Sequence, residues 1–499
     1  MPKQLPEIEQ QKISPKLEEN VSYINNLVGV GTTWDILAKP FKFGRLNMMS
    51  YLTNGFFLTM NVVLILENLQ KCIEQFEREH EGKSYTLEDL VDYLNTNVSF
   101  VQVQVFDKMS DVVRFILSGP LMTFIDGYDK CLMIDVRIYP MRSITTPMME
   151  RVARGNHDGF TETMLMNTSL IRRRLRDPRL RVELMQVGER GQTDVSLMYL
   201  KDVADEKLVQ DIRTKLTSLK TGGLMLGEQQ VTDYIGRIKW NPYPIVRYTE
   251  RPDVASAALV EGQVVIVVDT TPEVIIAPTT FFQHLQHPQE YHSYPVVGTY
   301  LRWTIMLAVF VSIFMPGVFL LMNAHPSWIP KGMAFFIANK KDPLPLWGEL
   351  LIAEIALDTL KLAVINTPTV LASAVGIVSA LLFGQFSTQI QLLQPEVLVY
   401  MGFVMIAQYA TSSYELGSAN QISRLWIMLW TAALGWIGFV IGTVSWFVRL
   451  ATTRSFGKPY LWPLIPFRWR DGLRDVVIRW PSYKLGGVPE ILKRRRGRI

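Results

Sequence analysis

The chain has little of what enzymes and secreted proteins usually carry. It has only two cysteines, Cys72 and Cys131, and their wide separation fits a reducing compartment without structural disulfides. It has no Gly-rich phosphate loop ending in Lys-Ser/Thr, no Gly-x-Ser-x-Gly elbow and no His-Glu-x-x-His pair, which are the common motifs of nucleotide, hydrolase and zinc sites. We therefore expect no enzyme, no catalytic residue, no bound metal and no cofactor.

Charge is missing from two long stretches in the last third of the chain. Leu425–Val448 runs for 24 residues and Leu362–Pro395 for 34 residues without one charged side chain. A helix of about 20 apolar residues crosses the roughly 30 Å hydrocarbon layer of a bilayer. The sequence therefore predicts a multi-spanning, all-α transmembrane domain over residues 296–450. Its four predicted spans are Trp303–Met322, Thr369–Leu392, Val397–Tyr414 and Leu425–Val448.

A further segment, Leu346–Asn366, is apolar but carries charge. Glu354, Asp358 and Lys361 are spaced i, i+4 and i+7, which puts them on one face of a helix. Charges at membrane depth mark an ion path, a proton relay or a paired contact. In that interpretation Asp358 pairs with Lys361, and Glu354 faces water, a partner or a cation. The alternative is a helix at the interface with its charged face in solvent, and whether this segment crosses the bilayer stays open.

The predicted span after it carries a stripe of small and hydroxyl-bearing residues. These pore-lining candidates are Thr369, Ser373, Gly376, Ala380 and Ser387. In a single helix such a stripe is typical of a close-packing seam. If several copies surround an axis, the same stripe makes a complete channel wall.

Charge placement predicts the orientation. The first residues lack the apolar core of a signal peptide, so we expect the region before the first span to stay in the cytoplasm. From Arg449 to Ile499 there are 13 Lys/Arg and 3 Asp/Glu, and such a basic tail beside a span remains cytoplasmic and contacts anionic lipid. We favour the membrane surface over nucleic acid as its partner. Four spans agree with both termini on one side.

The region before the spans mixes strand and helix patterns. Strands are predicted at Phe100–Phe106, Leu121–Ile125, Cys131–Val136, Val182–Gln186 and Val195–Leu200, and helices at Leu87–Asn95, Thr161–Arg176 and Asp205–Leu219,. This alternation predicts an α+β soluble region of two α/β subdomains. We assign residues 1–40 to an N-terminal extension, 41–160 and 161–295 to the subdomains, and 451–499 to the basic cytoplasmic tail.

Two details of this region bear on function. The basic run Arg172-Arg173-Arg174 with Arg176 ends a predicted helix, and we interpret it as a solvated or partner-facing end rather than a nucleotide site. Gln263–Val268 and Glu273–Ala277 predict a hairpin. The aromatic stretch Phe281–Tyr294 contains three histidines, His284, His287 and His292. We interpret it as a collar packed beneath the membrane rather than a metal site, because no further ligands complete a zinc set.

Several motifs together resemble one known family. They are Arg154-Gly155-Asn156-His157-Asp158-Gly159-Phe160-Thr161-Glu162-Thr163, Ile171 to Arg174, Arg176-Asp177-Pro178, Glu261-Gly262, Pro278–Phe282, Gly376-Ile377-Val378, Gly384-Gln385, Ser413-Tyr414-Glu415, Arg454 to Gly457 and Pro459-Tyr460-Leu461. This set, from about residue 20 to 467, is similar to the A-subunit family of spore germinant receptors, the GerA family. Asn20–Tyr23 followed by Gly29 to Asp35 looks most like its stage V sporulation protein AF branch. The usual apolar-Pro pair before Ser413 is replaced here by Thr411-Ser412, which leaves the bend before the last span open.

The resemblance implies a multi-pass protein of the spore inner membrane that acts in germination. Members are understood to form rings, expected as pentamers, whose helices conduct monovalent cations. The implied partners are other copies of the chain and either another small germination membrane protein or receptor B and C subunits. On this basis we expect the Thr369–Ser387 face to line the pore and Glu354 to form a negative ring that favours cations. A secondary transporter and a non-conducting scaffold are the alternatives.

Overall fold

A computed structural model describes most of the chain. The described residues are 8, 11–81, 83–98, 102–139, 146–147, 150–236, 240–329, 337–338, 344–367, 369–381, 384–385, 387–390, 392–469, 474–481 and 492. They form two compact units. The first contains residues up to 236 together with Tyr248–Pro278, and the second contains residues 240–247 and 279–481.

The first unit begins with a five-stranded antiparallel sheet. Its strands are β1 Ile36–Phe43, β2 Leu46–Thr53, β3 Val103–Phe106, β4 Leu121–Ile125 and β5 Cys131–Ile134, in the order β1-β2-β4-β5-β3. Along β5, Leu132 and Ile134 belong to one apolar cluster and Cys131 and Met133 to the other. Successive side chains of a strand point to opposite faces, so this sheet is buried on both sides.

Four helices cover the two faces of this sheet. Helices α2 (Thr59–Glu79) and α3 (Leu87–Asn97) supply one cluster, and α1 (Leu17–Val28) and α4 (Met109–Ile116) supply the other. Helix α3 begins at Thr86, whose hydroxyl accepts the Asp89 N–H while the Asp89 side chain accepts the Thr86 N–H. Such a capping box satisfies two amides that the helix cannot pair internally.

A second five-stranded sheet, in which β6, β7, β9 and β10 are antiparallel, completes the first unit. Its strands are β6 Leu180–Val187, β7 Thr193–Leu200, β8 Arg247–Thr249, β9 Val264–Val268 and β10 Val274–Ala277, in the order β6-β7-β9-β10-β8. Helices α5 (Met164–Arg174) and α8 (Pro252–Val260) pack on one face, and α6 (Glu206–Thr217) and α7 (Gly227–Gly236) complete the element set. The predicted hairpin is confirmed as β9 and β10, with Val274 opposite Val267.

A buried ion pair joins the loop before β1 to α5. The Arg172 Nε donates to Asp35 at 2.7 Å, and both side chains are at most 3% exposed. Arg172 also donates to the carbonyls of Asp177 at 3.1 Å and Leu180 at 3.2 Å. The prediction of a solvated basic run is therefore wrong for Arg172, because its guanidinium is enclosed and paired. Arg176 is exposed, as predicted.

The loop before β1 also extends the second sheet. The Trp34 N–H donates to the Val182 carbonyl at 3.0 Å, and the Val182 N–H donates to the Thr33 hydroxyl at 3.2 Å. Helix α1 ends at Gly29, which has a φ of 76°. The positive φ favours glycine at this turn, and a Cβ at Gly29 would lie 2.6 Å from the Arg181 Nε. The stretch from Gly29 to Asp35 therefore ties the two sheets together.

The second unit is mainly helical. After α9 (Pro288–Tyr291), its helices are α10 Pro295–Ala324, α11 Leu346–Asn366, α12 Thr369–Leu381, α13 Ser387–Gln389, α14 Pro395–Tyr409, α15 Tyr414–Thr452 and α16 Arg474–Val477. Within the described part of the chain, α10 and α15 are long and apolar enough to cross a membrane, judged by length and composition alone. The chain is thus an α+β region followed by a helical region with two apolar helices.

Helix α15 is not straight, which corrects the predicted single span Leu425–Val448. Gly435 has a φ of 60° and a ψ of −134°, outside the helical region. The Trp426 Nε1 donates to the Ser445 hydroxyl at 2.9 Å, although these residues would be roughly 28 Å apart along one straight helix. The chain therefore reverses at Gly435 and forms a hairpin of two arms, roughly 30 Å and 25 Å long.

Two further predicted spans compare differently with the structure. In the predicted span Thr369–Leu392, α12 is described to Leu381, residues 384–385 are π-helical and α13 follows, while residues 382, 383 and 386 lie outside the described part of the chain. The predicted span Val397–Tyr414 ends at Tyr409, and Ser413 begins the next helix by accepting the Leu416 N–H at 3.3 Å. The break between Tyr409 and Ser413 was not predicted.

Candidate functional site in the apolar helices

Helix α11 places two carboxylates one turn apart among apolar helices. Glu354 is 3% exposed and Asp358 is half-buried. Helix residues four apart lie on the same face, so both side chains point toward the same neighbours. Earlier on α11, the wholly buried Glu349 accepts the Gln394 backbone N–H at 2.9 Å and its side-chain amide at 3.1 Å. Glu349 thereby caps the start of α14.

Arg424 of α15 is the partner of Glu354. Its Nε donates to Glu354 Oε2 at 3.1 Å, its Nη2 donates to Glu354 Oε1, and both side chains are 4% exposed. A buried charge is tolerated when it is paired and hydrogen-bonded. Sequence reasoning missed Arg424, because it lies immediately before the uncharged run that begins at Leu425 and looked like the boundary of a span.

Proline in α10 supplies Arg424 with a further acceptor. Pro316 lies inside α10, and proline lacks the N–H that would bond the carbonyl four residues earlier. That carbonyl belongs to Ser312, and it accepts from Arg424 Nη1 at 2.9 Å. The α10 carbonyl that Pro316 leaves without a backbone donor thus accepts a hydrogen bond from a side chain of α15.

Hydrogen bonds through two side-chain amides link Arg424 to Asp358. Arg424 Nη2 donates to Gln408 Oε1 at 3.1 Å, Gln408 Nε2 donates to Gln421 Oε1 at 3.1 Å, and Gln421 Nε2 donates to Asp358. The Lys361 ammonium lies 4.6 Å from the centre of the Tyr414 ring, a cation–π contact. The predicted pair of Asp358 with Lys361 is therefore wrong: Asp358 takes an amide and Lys361 an aromatic ring.

The cluster borders a pocket between the helices. Glu354, Asp358, Lys361, Gln408 and Arg424 line it together with apolar side chains. Two carboxylates and two cations balance, so the pocket carries no net formal charge in this conformation. Glu354 does not face open water, as one interpretation held, but a partner within its own chain. We name these five residues with Gln421 the polar cluster.

The residues of the predicted pore stripe lie on two helical segments of the described chain. Thr369, Ser373, Gly376 and Ala380 lie on α12, whereas Ser387 is buried on the separate α13. Gly376 is half-exposed, with no atom within 4 Å of the position a Cβ would take. The side chains of Thr369, Ser373 and Ala380 lie outside the described part of the chain. Residues 382, 383 and 386 lie outside the described part of the chain, so the stripe from Thr369 to Ser387 remains a prediction.

The collar residues occupy several environments. His284 is fully buried, with its ring centroid 6.2 Å from that of Tyr460, and burial lowers its pKa to about 3, because a charged imidazole loses its hydration there. His287 caps α9 by accepting the Gln289 N–H at 3.1 Å. Trp303 of α10 donates to the Val477 carbonyl at 2.9 Å. Within the described residues no cluster of His, Cys, Asp or Glu is arranged to hold a metal.

Arg302, at the start of the apolar part of α10, forms another buried ion pair. Its Nε donates to Glu290 at 2.7 Å, and its Nη1 donates to the Val476 carbonyl at 3.2 Å. Burial raises the pKa of Glu290 although Arg302 opposes the shift. Part of the basic tail is thus attached to α10. The tail's run Lys493-Arg494-Arg495-Arg496 lies outside the described residues.

Fold and site together define a class of protein: a two-sheet α/β unit joined in sequence to apolar helices whose buried charges are paired across helices. The chain belongs to the Bacillus/Clostridium GerA spore germination protein family, which matches residues 22–491. It is 37% identical to stage V sporulation protein AF of Bacillus subtilis (strain 168) over 461 residues, or 92% of each chain. The predicted family and branch are confirmed.

Two further likenesses were found. The chain is 28% identical to the uncharacterized membrane protein YfkQ of Bacillus subtilis (strain 168), over 99% of this chain and 95% of that protein. It is also similar to the crystal structure of the N-terminal domain of the A subunit of the Bacillus megaterium spore germinant receptor GerK3, with 26% identity and a TM-score of 0.41, covering 54% of this chain and 98% of that domain.

Proposed function

We propose that this chain is a subunit of an oligomeric channel in the spore inner membrane that conducts monovalent cations during germination. Membership of the GerA family and the 37% identity to stage V sporulation protein AF support a role in sporulation and germination. The two long apolar helices support a membrane location. In this proposal the helical region crosses the membrane several times, and both termini lie on the cytoplasmic side, in the spore core.

The observation that carries the proposal is the exposure of α12. None of its described side chains is buried, and the apolar Leu371, Ile377 and Val378 are 55%, 64% and 54% exposed. Monomeric soluble proteins rarely expose such apolar surface. A helix of this kind needs lipid or further copies of the chain around it. Copies arranged about an axis, expected as a pentamer, would enclose the face that carries Ser373.

Paired substitutions on α12 test this. In liposomes that contain the purified protein, Ser373→Phe should block potassium efflux because the ring would fill the pore. Leu371→Phe is the matched control, because two residues along a helix is a rotation of about 200° and points to the opposite face. It should leave efflux unchanged. Equal efflux from both variants, with equal incorporation, would refute the pore assignment.

Glu354 has a conditional role in this proposal. Its charge is balanced by Arg424 in the described conformation, so it favours cations only in a state in which Arg424 has moved away. Glu354→Gln should then lower cation selectivity. An unaltered reversal potential in a potassium chloride gradient would remove this carboxylate from the conducting path.

A secondary transporter is the second candidate. Pro316 removes one backbone hydrogen bond within α10 and Gly435 breaks α15,, and transporters bind ions at helix breaks. A single carrier moves ions more slowly than a single channel, and the transport rate of a carrier is too low to give resolvable single-molecule currents. A non-conducting scaffold would give no protein-dependent flux at all.

Partners follow from the same proposal. Besides further copies of itself, we expect the chain to act with another small germination membrane protein or with receptor B and C subunits. We expect its basic tail to contact anionic lipid and the α/β unit to serve ring assembly and gating. Co-purification from sporulating cells, with and without the tail, tests these partners.

A further inference from the structure

The acceptors around the Arg424 guanidinium are all oxygen atoms. They are the two carboxylate oxygens of Glu354, the Ser312 carbonyl at 2.9 Å and Gln408 Oε1 at 3.1 Å. Arg424 itself is 3% exposed. These acceptors combine the one negative charge of Glu354 with two neutral carbonyl-type oxygens, and such a set of oxygens can replace the hydration shell of a monovalent cation.

The orientation of the Gln408 amide is fixed by its neighbours. A carboxylate only accepts hydrogen bonds, so Gln421 presents its NH2 group to Asp358 and its oxygen to the Gln408 NH2 group. Gln408 is left with its oxygen toward Arg424. The Asp358–Gln421–Gln408 chain therefore holds an oxygen, and not an amide donor, against the guanidinium.

The Ser312 carbonyl is equally constrained. Pro316 removes the N–H that would otherwise occupy it,, and the Ser312 hydroxyl is directed to the Val309 carbonyl at 2.9 Å. The oxygen cluster therefore comes from three helices: Glu354 from α11, Gln408 from α14 and the backbone of α10. Arg424 from α15 supplies the N–H groups that these oxygens accept.

We infer that this oxygen cluster is a binding site for a monovalent cation, sodium or potassium, which the Arg424 guanidinium occupies in the described conformation. A free cation binds there when Arg424 leaves. Only one carboxylate contributes, which favours a singly charged ion over magnesium or calcium, whose sites use several carboxylates or waters. The use of this site during conduction rests on the proposed function, but the binding itself can be measured without any flux.

The test uses the purified full chain in detergent, with thermal unfolding followed in potassium chloride, sodium chloride or N-methylglucamine chloride of equal ionic strength. In Arg424→Ala the Tm should rise by about 2 °C as potassium or sodium increases from 10 to 300 mM, because a ligand that binds only the folded state stabilises it. N-methylglucamine is too large to enter. Wild type and Arg424→Lys should not respond, since their own cation fills the site.

Three results would overturn the inference. The double variant Arg424→Ala/Glu354→Gln could respond as Arg424→Ala does, which would place the ion elsewhere. The Tm of Arg424→Ala could depend on pH but on no cation, which would show that Glu354 becomes protonated and binds no ion. Arg424→Ala could fail to fold in every salt while Arg424→Lys folds, which would show that no free ion replaces the guanidinium. A lack of channel activity leaves this result standing, so the two proposals fail separately.

Discussion

Replacing Arg172 with methionine removes the positive half of the buried pair with Asp35. Asp35 keeps the Thr33 hydroxyl at 2.7 Å but loses the two guanidinium hydrogen bonds, at 2.7 and 3.2 Å. Breaking a buried pair on one side costs about 3 to 5 kcal/mol. Each 1.4 kcal/mol is about tenfold in an equilibrium constant, so local opening should become more than about a hundredfold more frequent.

Hydrogen exchange of the full chain in detergent measures this opening directly. Peptides that cover residues 29–35 and 164–182 should exchange more than about a hundredfold faster in Arg172→Met. Arg176→Met is the matched control: its guanidinium is exposed and has one hydrogen bond to the Ser118 hydroxyl at 3.1 Å. The double variant Asp35→Leu/Arg172→Met should recover most of the protection, because no uncompensated charge remains. Protection in Arg172→Met within threefold of wild type would show that the Asp35–Arg172 pair does not hold this region closed.

Two further predictions concern the second unit. Gly435→Ala should destabilise the protein by about 1 to 3 kcal/mol and lower its Tm, because only glycine readily adopts this backbone conformation. The control Gly402→Ala lies on α14 with open space at its Cβ and should leave the Tm unchanged. His284 has a folded pKa of about 3, below its unfolded value of about 6.5, so the unfolded state binds the proton first and stability falls as the pH falls from 6.5 toward 3. Between pH 7 and pH 5 this proton binding lowers the free energy of unfolding by about 2 kcal/mol. His284→Phe should lose that pH dependence, whereas His157→Phe, at an exposed position, should keep it. Equal acid sensitivity in both variants would show that His284 is not the source of the pH dependence.

Seven of the ten described strands of the α/β unit were predictable because their local patterns agree with their packing, whereas β1, β2, β8 and five of the described helices were not predicted. Residues 121–125 and 131–134 are short apolar runs between turn residues, and both are buried strands. The hairpin Val264–Val268 with Val274–Ala277 follows from β-branched runs on either side of a turn. In these segments the sequence pattern has one structural solution.

The apolar helices were less predictable because hydropathy averages over a window. Such an average registers Leu425–Val448 as one span and cannot detect that Gly435 reverses the chain within it. It also treats Arg424 as a boundary, whereas the residue is neutralised by Glu354, which lies 70 positions earlier. Long-range pairs of this kind leave no local pattern.

Recording purified protein in a planar lipid bilayer with a potassium chloride gradient tests directly whether assembled copies conduct cations. We expect discrete unitary currents whose reversal potential lies toward that of potassium, and their loss in Ser373→Phe but not in Leu371→Phe. Bilayers that contain verified oligomers of the wild-type chain and remain silent under every condition that triggers germination would contradict cation conduction by this chain.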